Sequence, residues 1–380
     1  MIGQQFTKRL LGRTLLRCVL LVAFTFTASA IAGSWSPKQA AEWYEAQPWL
    51  VGSNFLPSDA ENALEMWQAE TFNAKEIDRE LAWAETLGMT TMRVFLHDLA
   101  FKKDPRGFLS RVDAFLAIAA RHHIKPMLVF FDSCWDPEPK VGKQLPPRIG
   151  VHNSRWVQSP GLPALADLNQ HARLRKYVKA VVRAFGSDPR VLAWDVWNEP
   201  DNLNNGSYND PRWKLEAVRT LLPQVFSWAR SEHPTQPLTS AVWNGDWSSA
   251  GRLNPIERIQ LSESDIVTFH NYGKTSDFSQ KLAWLKRLHL PVICTEYMAR
   301  PLGSTFQKIL PIAKNERVGM MNWGFVAGKS QTYIPWDSWQ KPYPPEGPKV
   351  WFHDIFYPNG KPYRVDETDF IRSMTGPKFR

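Results

Sequence analysis

Residues 191–202 read VLAWDVWNEPDN, an apolar run with two tryptophans that ends in Asn198-Glu199-Pro200. The run reads as a buried strand. A carboxylate at the mouth of such a strand must be paired, hydrogen-bonded or pushed toward its neutral form, because an isolated charge is strongly disfavoured away from water. Glu199 is therefore a candidate for chemistry.

Working outward from this stretch, short apolar segments alternate with amphipathic ones along nearly the whole chain. WLVGSNF (49–55), TMRVFLH (91–97) and KPMLVFF (125–131) read as strands before it, and PLTSAVW (237–243), DIVTFHNY (265–272), PVICTEY (291–297) and VGMMNWGFV (318–326) after it. Helical spacing fills the intervals, as in AKEIDRELAWAETLG (74–88), closed by Gly88, and HARLRKYVKAVVRAFG (171–186). Eight strands alternating with helices predict an α/β fold with a parallel sheet, closed as a single (β/α)8 TIM barrel. The alternative, an open doubly wound sheet, is weakened because no Gly-rich phosphate loop follows any strand. A long proline-rich loop, about 132–166, follows strand three and carries Trp135, His152 and Trp156; loops of this length are usually functional or disordered. The tail from about 335 reads as loop plus a closing helix.

Residues 1–32 read as a signal peptide: Lys8, Arg9, Arg13 and Arg17 precede an apolar stretch from Cys18 to Ala30, and Ala30-Ile31-Ala32 is a small-x-small cleavage site. The expectation is an exported protein, periplasmic or extracellular, with one barrel domain over 33–380 and no stable membrane insertion after cleavage; an uncleaved anchor is the alternative. Losing the four basic residues of this segment lowers the formal charge from +9 to about +5. Lys and Arg are scattered and no nucleic-acid motif accompanies them, so nucleic acid is not an expected partner. Cys134 and Cys294 would survive cleavage and read as buried thiols, and no Cys-x-x-Cys or His-Glu-x-x-His marks a metal site. The 18 tryptophans and 29 prolines are high for 380 residues and point to aromatic ligand surfaces on rigid loops, although most of the tryptophans read as core.

In a barrel, polar residues at the carboxyl ends of strands face one mouth. Those here are Arg93, His97 with Asp98, Asp132, Asn198 with Glu199, His270 with Tyr272, and Glu296, with Trp323 on strand eight. Glu199 ends strand four and Glu296 strand seven, which face each other across an eight-membered ring. Two carboxylates in one desolvated cleft repel, so their pKa values split into one acid and one base or nucleophile. Taken singly, a Glu at a strand end is more often a salt-bridge partner than a catalyst; the order of all these residues along eight strands is the specific signal.

That order resembles a clan A glycoside hydrolase, closest to family 5, the cellulase-like group, on WDVWNEP, TFHNYG, ICTEYM and MNWGF in sequence, with MRVFL upstream and WFHDIFYPNGKPYR closing the chain. The resemblance spans about 49–373. It implies a retaining hydrolase of a β-linked polysaccharide or oligosaccharide (glucan, mannan or xylan type), working without a cofactor by double displacement. It makes Glu199 the general acid/base, Glu296 the nucleophile and Asn198 a partner of the sugar 2-hydroxyl. Arg93 and Tyr272 would hold Glu296, His270 would line the site near the acid/base, and Trp323 would floor the sugar at the cleavage point. A retaining pair should stand about 5–5.5 Å apart, against about 6.5–9.5 Å for an inverting one. Many family members carry a histidine after strand three where this chain has Ser133-Cys134, so contacts there are expected to differ; Cys134 reads as a packed thiol.

Sugar C–H faces stack on aromatic rings, which makes Trp135, Trp156, Trp247 and Trp336 subsite candidates, each equally readable as a loop anchor. His97-Asp98 and His152 read as structural. The chain is expected to act as a monomer on carbohydrate. The competing functions are a barrel that binds carbohydrate without turnover, disfavoured because Glu199, Glu296, Asn198 and Tyr272 are all present, and a metal-dependent barrel hydrolase, disfavoured because the strand-end histidines are isolated.

Overall fold

The computed structural model describes residues 34–376; the expected signal peptide over 1–32 and the expected domain start at residue 33 lie outside the described residues. Eight parallel strands alternate with helices: β1 (Val51–Phe55), β2 (Thr91–Phe95), β3 (Lys125–Asp132), β4 (Ala193–Asn198), β5 (Leu238–Thr239), β6 (Val267–His270), β7 (Val292–Glu296) and β8 (Gly319–Asn322). They are ordered β5-β4-β3-β2-β1-β8-β7-β6, so β1 pairs β8 across the first and last turns of the chain. The remaining seam is joined by a parallel bridge between Val242 and Phe269, with Val242 N donating to Thr268 O at 3.1 Å and His270 N to Val242 O at 2.9 Å. The ring is a (β/α)8 barrel, as expected.

Strand five is much shorter than PLTSAVW suggests. Ser240 N donates to the Ser264 hydroxyl, and Ala241 O accepts from the Gln260 side chain, so side chains satisfy the backbone where the ladder would continue. Pairing resumes only at Val242. The periodicity also missed a helix, Pro37–Glu45, started by Ser36 capping Gln39 N and Pro37 in the first turn. Ala40 of this helix clusters with Leu50, Leu192 and Ile266, which immediately precede β1, β4 and β6, and with Met127, Ile293 and Met321 inside β3, β7 and β8. The helix thus covers the amino-terminal end of the barrel and leaves the carboxyl end for the site.

The interior is mostly one continuous apolar core between strands and outer helices. The long loop after β3 is ordered by its own bonds: Asp132 pairs Ser159 and Asp136 pairs Val157, and a short helix, Leu162–Ala166, ends it. Among the described residues no helix is long and apolar enough to cross a membrane.

Candidate active site

Glu199 follows β4 with φ +42°, in the left-handed region, immediately before Pro200. A side-chain-bearing residue rarely adopts this conformation, and holding it costs on the order of 1–3 kcal/mol. It is held by a turn: Asn202 N donates to Glu199 O at 2.9 Å, and Asn202 Nδ2 to Glu199 Oε2 at 2.7 Å. The turn takes the carboxylate off the strand path and into the mouth.

Glu296 stays on its strand, between two donors. Arg93 Nη1 reaches Oε1 at 2.8 Å and the Tyr272 hydroxyl reaches Oε2 at 2.6 Å. Arg93 has no solvent exposure, and its guanidinium makes five bonds: two to Asp195, and one each to Asn54, Asn198 and Glu296. A buried guanidinium with every N–H used is rigid as well as charged.

The two carboxylates meet at His270. Its Nδ1 lies 2.9 Å from Glu199 Oε1 and 3.5 Å from Glu296 Oε2, and one oxygen of each carboxylate and this nitrogen all lie within 4.8 Å of one another. A cation could use that spacing, yet the donors named above already occupy these atoms. Burial pushes the His270 pKa down to about 4, so the ring is neutral at neutral pH. Burial raises Glu199 to about 7, against the opposing pull of Asn202 and Cys134. Burial also raises Glu296, opposed by the Arg93 guanidinium and the Tyr272 hydroxyl. The difference lies in the donors: a guanidinium touches Glu296, and only neutral groups touch Glu199.

These groups open on a cleft of about 390 Å³ whose lining includes Glu199, Glu296, Asn198, Tyr272, Trp323, Trp135 and Trp336. Arg93 and His270 sit behind the carboxylates rather than on the cleft wall. Two subsite expectations are corrected. Trp156 packs against Trp323, edge to face at 5.5 Å, with its indole N–H on Asp132, so it sits behind that ring and does not line the cleft. Trp247 is buried against Phe269 with its N–H on Glu257, inside the cap of helix Pro255–Glu263. The tryptophan on that wall is Trp243, held by Asp201 at 2.6 Å.

Other lining residues passed unnoticed in the sequence, among them Asn202, Asn204 and Asn244. Asn202 stands three residues after Glu199, a spacing that could have flagged it. His152 lines the cleft while its Nδ1 bonds Ile334 O at 2.7 Å, and His97 caps helix Asp98–Lys103 away from it. Cys134 is a buried thiol whose Sγ lies 3.3 Å from Glu199 Oε2.

Residues 64–342 match the family model for cellulase, glycosyl hydrolase family 5. The chain belongs to this family. It is a glycosidase, a hydrolase of O-glycosyl bonds. The family 5 barrel is similar to several solved structures. A GH5_18 protein variant from Streptomyces cattleya in complex with Manβ1-4GlcNAc is 14% identical, with TM-score 0.58, over 87% of this chain and 80% of that one. An endo-1,4-β-D-mannanase from Thermotoga petrophila RKU-1 is 16% identical, with TM-score 0.52, over 86% and 99%. An exo-β-1,4-mannosidase from Opitutaceae bacterium strain TAV5 is 19% identical, with TM-score 0.54, over 86% of this chain and 60% of that one. At these identities the likeness is one of fold. No curated protein matches the chain.

Proposed function

We propose that this family 5 hydrolase retains anomeric configuration, with Glu296 as nucleophile and Glu199 as general acid/base. The observation that supports the pairing is the approach of the two carboxylates, with an oxygen of each inside a 4.8 Å cluster. That approach is nearer the about 5–5.5 Å separation of a retaining pair than the about 6.5–9.5 Å of an inverting one, which supports the retaining reading.

The donor difference assigns the roles. Arg93 and Tyr272 favour ionised Glu296, the form that attacks the anomeric carbon. Glu199, raised to about 7 by burial, is protonated in a large fraction of molecules at neutral pH and delivers that proton to the departing oxygen. The bond to that oxygen breaks as the bond to Glu296 forms; in the second step the now ionised Glu199 takes a proton from the water that attacks the glycosyl ester and releases Glu296. Asn198, whose carbonyl is fixed by Arg93 and whose amide is fixed by Asp132 at 2.8 Å, stands at the cleft for the 2-hydroxyl. Trp323, backed by Trp156 and Phe95, offers the ring face beneath the sugar.

The substrate we propose is a β-linked glycan, with β-1,4-mannosides first to be tried, because the three solved neighbours are named for or hold β-mannosides. Export through residues 1–32 belongs to the same proposal; the amino-terminal sequence of the secreted protein checks it. Hydrolysis of β-1,4-mannan, glucan and xylan oligosaccharides with sizing of products tests the substrate. Cleavage of none of them, with activity on α-linked glycans instead, would overturn it.

A further inference from the structure

Lys214 carries a charge with no evident reason to be where it is. It lies in the first turn of helix Trp213–Arg230, the end where the helix dipole disfavours a cation, and it has no solvent exposure. Its ammonium makes three bonds: to Ser133 O at 2.8 Å, Asn202 O at 2.8 Å and Asp210 Oδ2 at 2.7 Å. Ser133 belongs to the turn after β3, and Asn202 and Asp210 to the loop after β4. One buried cation thus ties together the two loops that flank Glu199.

The tied residues adjoin the donors to Glu199. Cys134, next to Ser133, places its thiol 3.3 Å from Glu199 Oε2, and Asn202 donates to the same oxygen at 2.7 Å. Asn204 reinforces the tie, donating to Ser133 O at 2.9 Å and Asp210 Oδ2 at 2.8 Å while accepting from Trp135 N at 2.7 Å. Trp135 and Asn204 both hold left-handed backbone, at φ +68° and +52°, conformations that persist only where neighbours enforce them.

We propose that Lys214 is a positioning residue for the acid/base: by clamping the loops after β3 and β4 it holds the Cys134 thiol and the Asn202 amide on Glu199 Oε2, and so sets the ease with which Glu199 gives up its proton. This rests on the reading of Glu199 as acid/base. It also gives Cys134 a role, as a neutral donor rather than a nucleophile, because burial keeps it a thiol.

The sign follows from the donors. Asn202 and Cys134 stabilise the ionised carboxylate, so losing them raises the Glu199 pKa. The other groups facing Glu199 are Arg93 from β2, His270 from β6, Tyr272 and Glu296, and Asp201 on its own loop. None of them touches Lys214.

The test is the pH profile of kcat/KM for the full chain, using the β-1,4-linked trisaccharide that the unaltered protein cleaves fastest. In Lys214→Met/Asp210→Asn, which removes both charges of the clamp together, the alkaline limb is expected to move up by about one pH unit, the scale of a hydrogen bond to a carboxylate. Cys134→Ala alone should raise the limb by less, and should add nothing in the clamp variant, since its donor is already displaced there. A purely structural Lys214 would lower thermal stability and leave the limb in place. An unmoved or lowered limb, or a full additional rise from Cys134→Ala in the clamp variant, overturns the proposal. Should the double variant not fold, Asp210→Asn alone keeps the ammonium and its two carbonyl bonds; a smaller rise is expected, and no rise overturns the proposal. If Glu199→Gln instead slows activated and unactivated substrates equally, the acid/base reading itself fails, a separate result.

Discussion

Glu199 and Glu296 close strands of one barrel and meet in one cleft, yet the chain holds them by opposite means. Glu296 keeps strand geometry and is fixed by a buried arginine and a phenol. Glu199 leaves its strand in a left-handed turn and is held by a thiol, an amide and a neutral imidazole. The first is electrostatically anchored, while the second depends on loops. A nucleophile must stay ionised and still, whereas an acid/base must change protonation twice per turnover, so charged donors suit one and neutral donors the other.

The sharpest way to break this contrast is to remove each carboxylate. Glu296→Ala should lower kcat by roughly 10,000-fold or more, and azide should restore turnover with product of inverted configuration; retention of full activity would remove Glu296 from the chemistry. Glu199→Gln should cost roughly 100- to 10,000-fold on unactivated glycosides and far less on activated aryl glycosides, because only the former need the proton. Equal losses would erase the difference between the two residues.

The contrast also has a pH signature. Since Glu199 must be protonated to act as acid and is raised to about 7, kcat/KM should fall as pH rises through about 7. The same group bears on stability. Its pKa is raised above the unfolded value of 4.5, so the stability it contributes is fully present below about pH 4.5 and is lost as pH rises through about 7. Glu199→Gln should therefore stabilise the fold at pH 8 relative to pH 4, by on the order of 3 kcal/mol in urea unfolding. A destabilisation that grows with pH would contradict the assigned environment.

The smallest effects separate the tryptophans. Trp336→Ala should raise KM by roughly 3- to 10-fold, the scale of a ring-stacking contact. Trp247→Phe should leave KM unchanged and lower thermal stability modestly, because its ring packs on Phe269 and its N–H bonds Glu257. A raised KM there would return Trp247 to the cleft.

The barrel and both carboxylates were legible in sequence because strand periodicity is local and barrel geometry turns every carboxyl end toward one mouth. Glu199, Glu296, Asn198, Tyr272 and Trp323 line the cleft that this geometry places at the strand ends, while the roles proposed for them rest on the family resemblance. Beyond the ladders, direction depends on bonds to distant residues. Trp243 and Trp247 are four apart, and what decides between them is that one reaches Asp201 and the other Glu257. Strand five ended early for the same reason, its backbone taken by Ser264 and Gln260. The role of Cys134 was hidden because its contact with Glu199 is made across 65 residues of chain. The helix Pro37–Glu45 carried a visible start in Ser36-Pro37, but its reason to form is the open lower end of the barrel, which no local pattern reveals.

The claim on which all of this turns is that Glu296 attacks and Glu199 protonates, which requires two inversions at the anomeric carbon. Proton NMR of the first-formed product, recorded before mutarotation, reads this directly. The β-anomer should appear first and relax toward equilibrium; the α-anomer appearing first would show a single displacement and contradict the account.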